Sequence, residues 1–254
     1  MILKVEGIVI RTVDYGEANR ILHVLTKEAG KISMMARGAK KVKSRFSAIS
    51  QPFTHGEFVI YRSSAQAMGT INSGELINSH QRLREELVLS AYAAYLAELT
   101  SRLVEEGVPV PHIFAQLAAA FEAMEEGKDA AVITQVYEMD MLAVAGFMPQ
   151  LHACVSCGRE DGDFHLLSGQ LGGTICDRCS DQDGQAISVS RGVMRLLRAI
   201  QQLDLRRLGS VNVSTQAKKE MKQFIRTCMD AHLQVRWRSR DFLDQLAELD
   251  RFDE

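Results

Sequence analysis

The spacing of apolar residues changes character twice along this 254-residue chain, and no single regular architecture accommodates both changes. Over the first 80 residues, short runs alternate apolar and polar side chains between Gly-containing turns, which is the period-2 signature of strands. Leu3, Val5, Ile8 and Ile10 open the pattern, and Asp14-Tyr15-Gly16-Glu17 reads as its first turn. Further runs cover Arg20 to Thr26, Lys31 to Ala36, Glu57 to Arg62 and Met68 to Ile77. Five short strands predict a small closed barrel of the OB type, because closure removes exposed strand edges. An SH3-like barrel, or another five-stranded antiparallel sheet, gives a similar pattern.

From Gln81 the period becomes helical. Leu83, Leu87, Ala91, Tyr95, Leu99 and Leu103 fall on one face until Gly107, Pro109 and Pro111 end the segment. A second helix is predicted over 111–126 and a third from Asp129 to about Ala145, with Tyr92, Tyr95, Phe114 and Phe121 as packing residues. Periodicity then disappears over 150–186, where Gly, Asp, Ser and Cys replace Leu and Ala. It returns with Val193, Leu196, Leu197, Ile200 and Leu203 behind a Ser190 cap, then with Met221, Phe224, Ile225, Cys228 and His232, and finally over Asp241 to Leu249. The reading is an α+β multidomain chain: an N-terminal five-stranded OB-fold β-barrel (1–80) and a C-terminal helical domain in two parts (81–150 and 187–254), with a four-cysteine zinc module (151–186) inserted between them.

The aperiodic stretch holds C-V-S-C at 154–157 and C-D-R-C at 176–179, two C-x2-C pairs separated by 18 residues. A two-residue gap lets two thiolates of one turn reach the same ion, and two such turns complete a tetrahedron. Cys154, Cys157, Cys176 and Cys179 are therefore the predicted metal ligands. Four thiolates leave no open coordination position, so one structural zinc per chain is expected, supplying folding free energy where few apolar residues can. His152 and His165, although close in sequence, read as surface residues, and Cys228 as a small buried hydrophobe.

The formal charge of -2 conceals an uneven distribution. Residues 1–80 carry 11 Lys and Arg against 6 Asp and Glu, residues 81–150 carry 4 against 11, and residues 151–254 carry 15 against 15. Within the basic end, five basic residues, Arg37, Lys40, Lys41, Lys43 and Arg45, fall within nine positions that hold no acid. A run of this kind is either a solvated loop or a phosphate-binding one. Its position after the third strand, where OB barrels hold single strands, favours phosphates, which Lys and Arg bind with release of counterions. Phe46 and Phe53 flank the run and have two open readings, stacking on bases or packing against the barrel.

No phosphate-binding glycine loop, nucleotide fingerprint, nucleophile elbow or zinc-protease motif occurs, and the seven histidines are scattered. A binding protein is expected in place of an enzyme. There is no charged-then-apolar signal segment at Met1 and no apolar run long enough to span a bilayer, so the expectation is a cytoplasmic protein without a membrane partner.

Four segments in order resemble the bacterial RecO family of recombination mediators: "DYGEANRILHVLTKEAGKI", "ARGAKKVKSRF" with "QPF", "GFMPQLHACVSCG" and "RSRDFLDQL". The resemblance implies an OB domain, a helical domain and a zinc module. It further implies binding and annealing of single- and double-stranded DNA, and action with RecR to help RecA displace the single-strand-binding protein SSB, whose acidic C-terminal tail is contacted. It carries DNA contacts onto Arg37, Lys40, Lys41, Lys43 and Arg45, and metal ligation onto Cys154, Cys157, Cys176 and Cys179. Because residues 81–150 are acidic, the tail is expected at Arg191, Arg195 and Arg198, or at Arg236, Arg238 and Arg240 around Trp237. Competing readings are a nuclease or modifying enzyme with a zinc-ribbon accessory, and a protein adaptor without DNA contact.

Overall fold

The computed structural model describes residues 1–64, 67–210 and 212–249. Its strands are β1 (Ile2–Tyr15), β2 (Asn19–Thr26), β3 (Gly30–Ala36), β4 (His55–Tyr61) and β5 (Gly69–Asn78), closed into a barrel in the order β1-β2-β3-β5-β4. All pairings are antiparallel except β3 with β5. This is the five-stranded, OB-like barrel that the period-2 pattern predicts. Leu22 and Val24, Ile32 and Met34, and Phe58 and Ile60 point inward, and with Val5, Val9 and Ile71 they form the core.

β1 departs from simple alternation because it is buried on both faces. Val5 and Val9 face the core, while Ile8 and Ile10 are also buried, on the side that packs against the helices that follow. A register shift between Val9 and Arg11 bends the strand, as bulges do. β1 also extends through Asp14 and Tyr15, so the first turn is tighter than the sequence suggests.

The helical part begins with α1 (Arg82–Glu85) and α2 (Leu87–Leu103), followed by α3 (Pro111–Glu125) and α4 (Ala130–Val144). The periodicity predicts one continuous helix from Gln81. The chain instead breaks at Glu86, which has extended torsions (φ -96°, ψ 116°). The break resets the helical phase, so Leu83 is buried in α1 whereas Leu87, assigned to the same apolar face, is 61% exposed. Tyr95, Phe114 and Phe121 are buried core residues as expected.

Beyond α4 come three short strands, β6 (Leu166–Ser168), β7 (Gly173–Ile175) and β8 (Ile187–Ser188), in the order β7-β6-β8. They are followed by α5 (Arg191–Ile200), α6 (Thr215–His232) and α7 (Arg238–Leu249). Ser190 caps α5 by accepting from the Val193 N–H. The chain divides into two compact units: one runs from Met1 to Ala130 and includes the segment from Trp237 onward, and the other is Ala131–Arg236. No helix among the described residues is long and apolar enough to cross a membrane.

Candidate functional site

The basic run lies in the connection between β3 and β4, and this connection is ordered by its own apolar residues. Ala39, Phe46 and Ile49 enter the barrel core and close its end. Between them the backbone runs through successive turns, with Lys41 N–H to Gly38 O (3.1 Å), Ser44 N–H to Lys41 O (2.9 Å) and Ser50 N–H to Phe46 O (3.1 Å). Gly38 adopts φ 70°, a left-handed conformation that favours glycine. Its N–H donates to Asn19 Oδ1 at 2.9 Å, and Lys40 N–H donates to Ala18 O at 3.0 Å, fastening the start of the loop to the β1–β2 turn. At the far end Phe53 N–H donates to Val9 O at 2.8 Å, and the Arg84 guanidinium donates to Pro52 O at 3.1 Å.

This frame separates the five cations into two kinds. Lys40 pairs with Asp14 at 2.8 Å, and Arg20 reaches the same carboxylate at 3.2 Å. Hydrogen bonds from Lys40 and then Arg20 hold the Asp14 carboxyl below its ordinary range. Arg45 lies 4.7 Å over the Phe46 ring and donates to Asn72 O at 3.0 Å. Arg37, Lys41 and Lys43 are exposed, and their side chains have no hydrogen-bond or ion-pair partner among the described residues. Phe46 and Phe53 take the packing alternative: both are buried, and the Phe53 ring meets Phe121 edge-on at 5.5 Å. Neither is available to stack on a base. The division of the cations depends on Asp14 and Asn72, partners distant in sequence, which is why composition alone treats all five alike.

The four cysteines converge as their spacing predicts. Their sulfurs all lie within 4.8 Å of one another, and Cys157 Sγ and Cys176 Sγ are 3.7 Å apart. Metal–sulfur bonds of about 2.3 Å in a tetrahedron put sulfurs about 3.8 Å apart, so the cluster has the dimensions of a four-thiolate metal site. The first knuckle closes through Gly158 N–H to Cys154 O (2.8 Å) and Cys154 N–H to Arg159 O (2.8 Å), with Gly158 at φ 72°. Val155 N–H to Thr174 O (2.9 Å) and Thr174 N–H to Gln150 O (2.8 Å) stitch this knuckle onto β7. That strand leads directly into the second knuckle, where Cys179 N–H donates to Cys176 O at 2.8 Å.

Burial raises the Cys154 thiol, but N–H donors from Cys157, Cys176 and Ser156 outweigh it and bring the thiol down to about 6. Cys179 goes the other way, to about 11: the Ser156 hydroxyl opposes the rise, and hydrogen bonding among the thiols together with burial wins. Four thiolates packed this closely would repel one another, and a cation held between them would offset that repulsion. His152 and His165 lie outside the cluster. Cys228 is buried in α6, and burial pushes its thiol up to about 12.

The two further basic groups are largely engaged. Arg191, itself exposed, pairs with Asp163, Arg198 donates to Leu151 O at 2.8 Å, and Arg195 is also exposed. Trp237 is fully buried and so cannot floor an open pocket. Arg238, with Arg11 and Arg102, instead lines an open groove of about 630 Å3 that also includes Ile10, Phe53, Ala94 and Ala97. Glu98 lies in this groove, but it is occupied by Arg102 (3.1 Å) and by the N–H groups of Ser239 (2.9 Å) and Arg238 (3.3 Å) at the start of α7.

An OB-like barrel with an anchored basic loop, followed along the chain by helices and a four-cysteine cluster, has the parts found in nucleic-acid-binding proteins. Comparison with known proteins narrows the class. The family model for the N-terminal part of recombination protein O matches residues 1–80, and that for its C-terminal part matches residues 84–241. The chain is 44% identical over 249 residues to the DNA repair protein RecO of Bacillus subtilis strain 168, covering 98% of this chain and 96% of that protein. The RecO of Bacillus pumilus is 43% identical over the same shares. The RecO of Bacillus mycoides is 43% identical over 246 residues, covering 97% of this chain and 98% of that one. The chain belongs to the RecO family of DNA repair proteins.

Proposed function

We propose that the protein is a recombination mediator that works by binding and annealing DNA, without catalytic turnover. The observation that carries this reading is the display of Arg37, Lys41 and Lys43, exposed and unpaired among the described residues, on a loop whose apolar side chains are fixed in the barrel core. Cations held in place and free of internal partners neutralise phosphates without first breaking an ion pair. Two strands brought to such a surface repel one another less, which favours their pairing. Lys40 and Arg45 are placed beside the same path and contribute to its potential while remaining tied to the barrel. Single- and double-stranded DNA are the ligands. RecR and RecA are the functional partners on SSB-coated strands, with action in the cytoplasm at the nucleoid.

The acidic SSB tail is read onto the groove rimmed by Arg11, Arg102 and Arg238, because its apolar floor and basic rim suit a peptide that carries both characters. Titration of a tail peptide tests this: unchanged affinity in an Arg11→Ala/Arg238→Ala variant removes the groove. The metal is read as one structural zinc held by Cys154, Cys157, Cys176 and Cys179, and elemental analysis is expected to give one zinc per chain.

The central test is single-strand binding by fluorescence anisotropy across a salt series. Three phosphate contacts give a log–log slope of about -2. Replacing Arg37, Lys41 and Lys43 together by Ala is expected to remove most of that slope and weaken binding about equally for every sequence. Unchanged affinity and slope would sink the assignment. Hydrolysis of a labelled oligonucleotide in the presence of a divalent metal would favour an enzyme instead.

A further inference from the structure

The barrel's outer face offers more than charge. At one end of β2 and β3 this face is covered by the connection between α2 and α3: Gly107 N–H donates to Lys31 O at 2.9 Å, and Lys31 Nζ donates to Ser101 O at 2.5 Å. The approach is so close that a Cβ on Gly30 would meet Val108 O at 2.1 Å. The other end of the same face, beside the basic loop, is open. There the strand register sets Val13 opposite Ile21, Ile21 opposite Met35, Met35 opposite Thr70, Thr70 opposite Tyr61 and Tyr61 opposite Ile2. Each of these residues alternates with an inward-pointing neighbour such as Leu22, Met34, Ile71 or Ile60, so all of them point outward.

The result is a band that crosses the strands on the barrel's outer face, from Val13 near the end of β1 to Tyr61 and Ile2, which pairs with it at the start of β1. Ile21 and Met35 are half-buried, whereas Tyr61 is 58% exposed and Ile2 72% exposed. Tyr15, 56% exposed, lies two residues beyond Val13 on the same face. Arg37, exposed, follows the end of β3 two residues beyond Met35 and leads directly into the loop that carries Lys41 and Lys43. Asp14, the acid next to Tyr15, is neutralised by Lys40 and Arg20.

We propose that this band is a base-binding surface for an unpaired strand, with Tyr15 and Tyr61 stacking on bases, Ile21 and Met35 as the floor between them, and Arg37, Lys41 and Lys43 holding the phosphates. The inference rests on the DNA-binding reading and adds to it a means of discrimination. Cations attract any polyanion, single or double, whereas aromatic faces reward only bases that are free to leave the stack. Charge complementarity selects the occupant: an apolar band bordered by free cations suits a ligand with apolar planes strung on an anionic backbone.

The test uses the full-length protein and a Tyr15→Leu/Tyr61→Leu variant. Both positions are exposed and leucine preserves apolar character, and a thermal melt confirms that the barrel is retained. Affinity is measured for a single-stranded oligonucleotide, for the same oligonucleotide with abasic sites, and for a duplex. The variant is expected to lose about fivefold or more in single-strand affinity per tyrosine, with duplex affinity and salt slope unchanged. On the abasic strand the parent protein should fall to the level of the variant, and a Tyr→Phe pair should restore binding. If the leucine variant binds single strands like the parent while the Arg37, Lys41 and Lys43 replacements still weaken binding, the band is refuted and the DNA reading stands. If neither set changes binding, both readings fall.

Discussion

In the barrel, the irregular connection from Arg37 to Thr54 is ordered by Ala39, Phe46 and Ile49, which sink into a core of strand residues that already exists. In the cysteine module, a stretch of comparable irregularity has only three strands of two or three residues and a few buried apolar side chains, among them Phe164, Leu167 and Ile175. The loop borrows its order from the hydrophobic effect, whereas on the proposed reading the module draws its order from a metal held by four sulfurs that lie within 4.8 Å of one another. The two regions should therefore fail under different insults. The barrel loop should respond to lost apolar volume and ignore chelators, and the module should do the reverse.

The largest effect is expected from breaking the module. Structural four-ligand zinc sites supply apparent binding free energies of about 10 kcal/mol or more, which a segment this poor in apolar residues cannot replace. A Cys154→Ser/Cys176→Ser variant should lose its bound metal and its hydrogen-exchange protection over residues 154–179, while β1 to β5 keep theirs. Exchange measured by mass spectrometry, with metal quantified on the same sample, checks this. Metal-free protein with undiminished protection across the module would show that packing alone holds it, and the contrast between the two regions would disappear.

Next in size is Phe46→Ala. Removing a buried phenyl ring from a core costs about 3–5 kcal/mol, and here the cavity would open at the barrel end that the loop closes. A chemical denaturation curve should show the loss, and zinc content should not change. The same substitution also removes the ring beneath Arg45 and loosens the frame that presents Arg37, Lys41 and Lys43. Single-strand affinity should therefore fall although Phe46 is buried. Retained affinity would mean that the loop cations act without a fixed geometry.

How far each region can be read from sequence follows from how local its determinants are. The cysteine quartet is fully legible because the chemistry fixes its spacing within each knuckle, and the two knuckles are joined by one short strand unit. The barrel strands are legible through period 2, except where burial on both faces of Ile8, Val9 and Ile10 hides the alternation. The break at Glu86 is invisible because helical periodicity carries no record of a single extended residue, and so Leu87 falls on the wrong face in a sequence reading. The sorting of the loop cations is equally hidden, since Lys40 finds its acid on β1 and Arg45 its carbonyl on β5. Glu125 shows the same limit. Nothing in its local sequence points to a partner, yet it makes a 2.8 Å contact with His80, 45 residues away and completely buried.

That His80–Glu125 pair gives the smallest predicted effect and the finest probe of the difference between the regions. His80 ends the barrel segment just before α1, with its ring edge-on to Phe121 at 5.6 Å. Burial lowers its pKa from the ordinary histidine value and outweighs Glu125, which favours the charged ring, while nearby His55 adds to the lowering. The folded state thus takes up this proton less readily than the unfolded chain does. Stability from this site is complete above the unfolded value near 6.5 and is lost as pH falls from there through the depressed folded value. The melting temperature of the barrel unit should fall on acidification from about pH 7 to about pH 5, and His80→Gln, which cannot titrate, should flatten that slope. The cysteine module also loosens in acid, because protons compete with metal for thiolates, but its response should be the same in parent and variant. An identical barrel slope in His80→Gln and parent would mean that the ring takes up its proton equally in the folded and the unfolded protein, and that acid reaches the barrel through other groups.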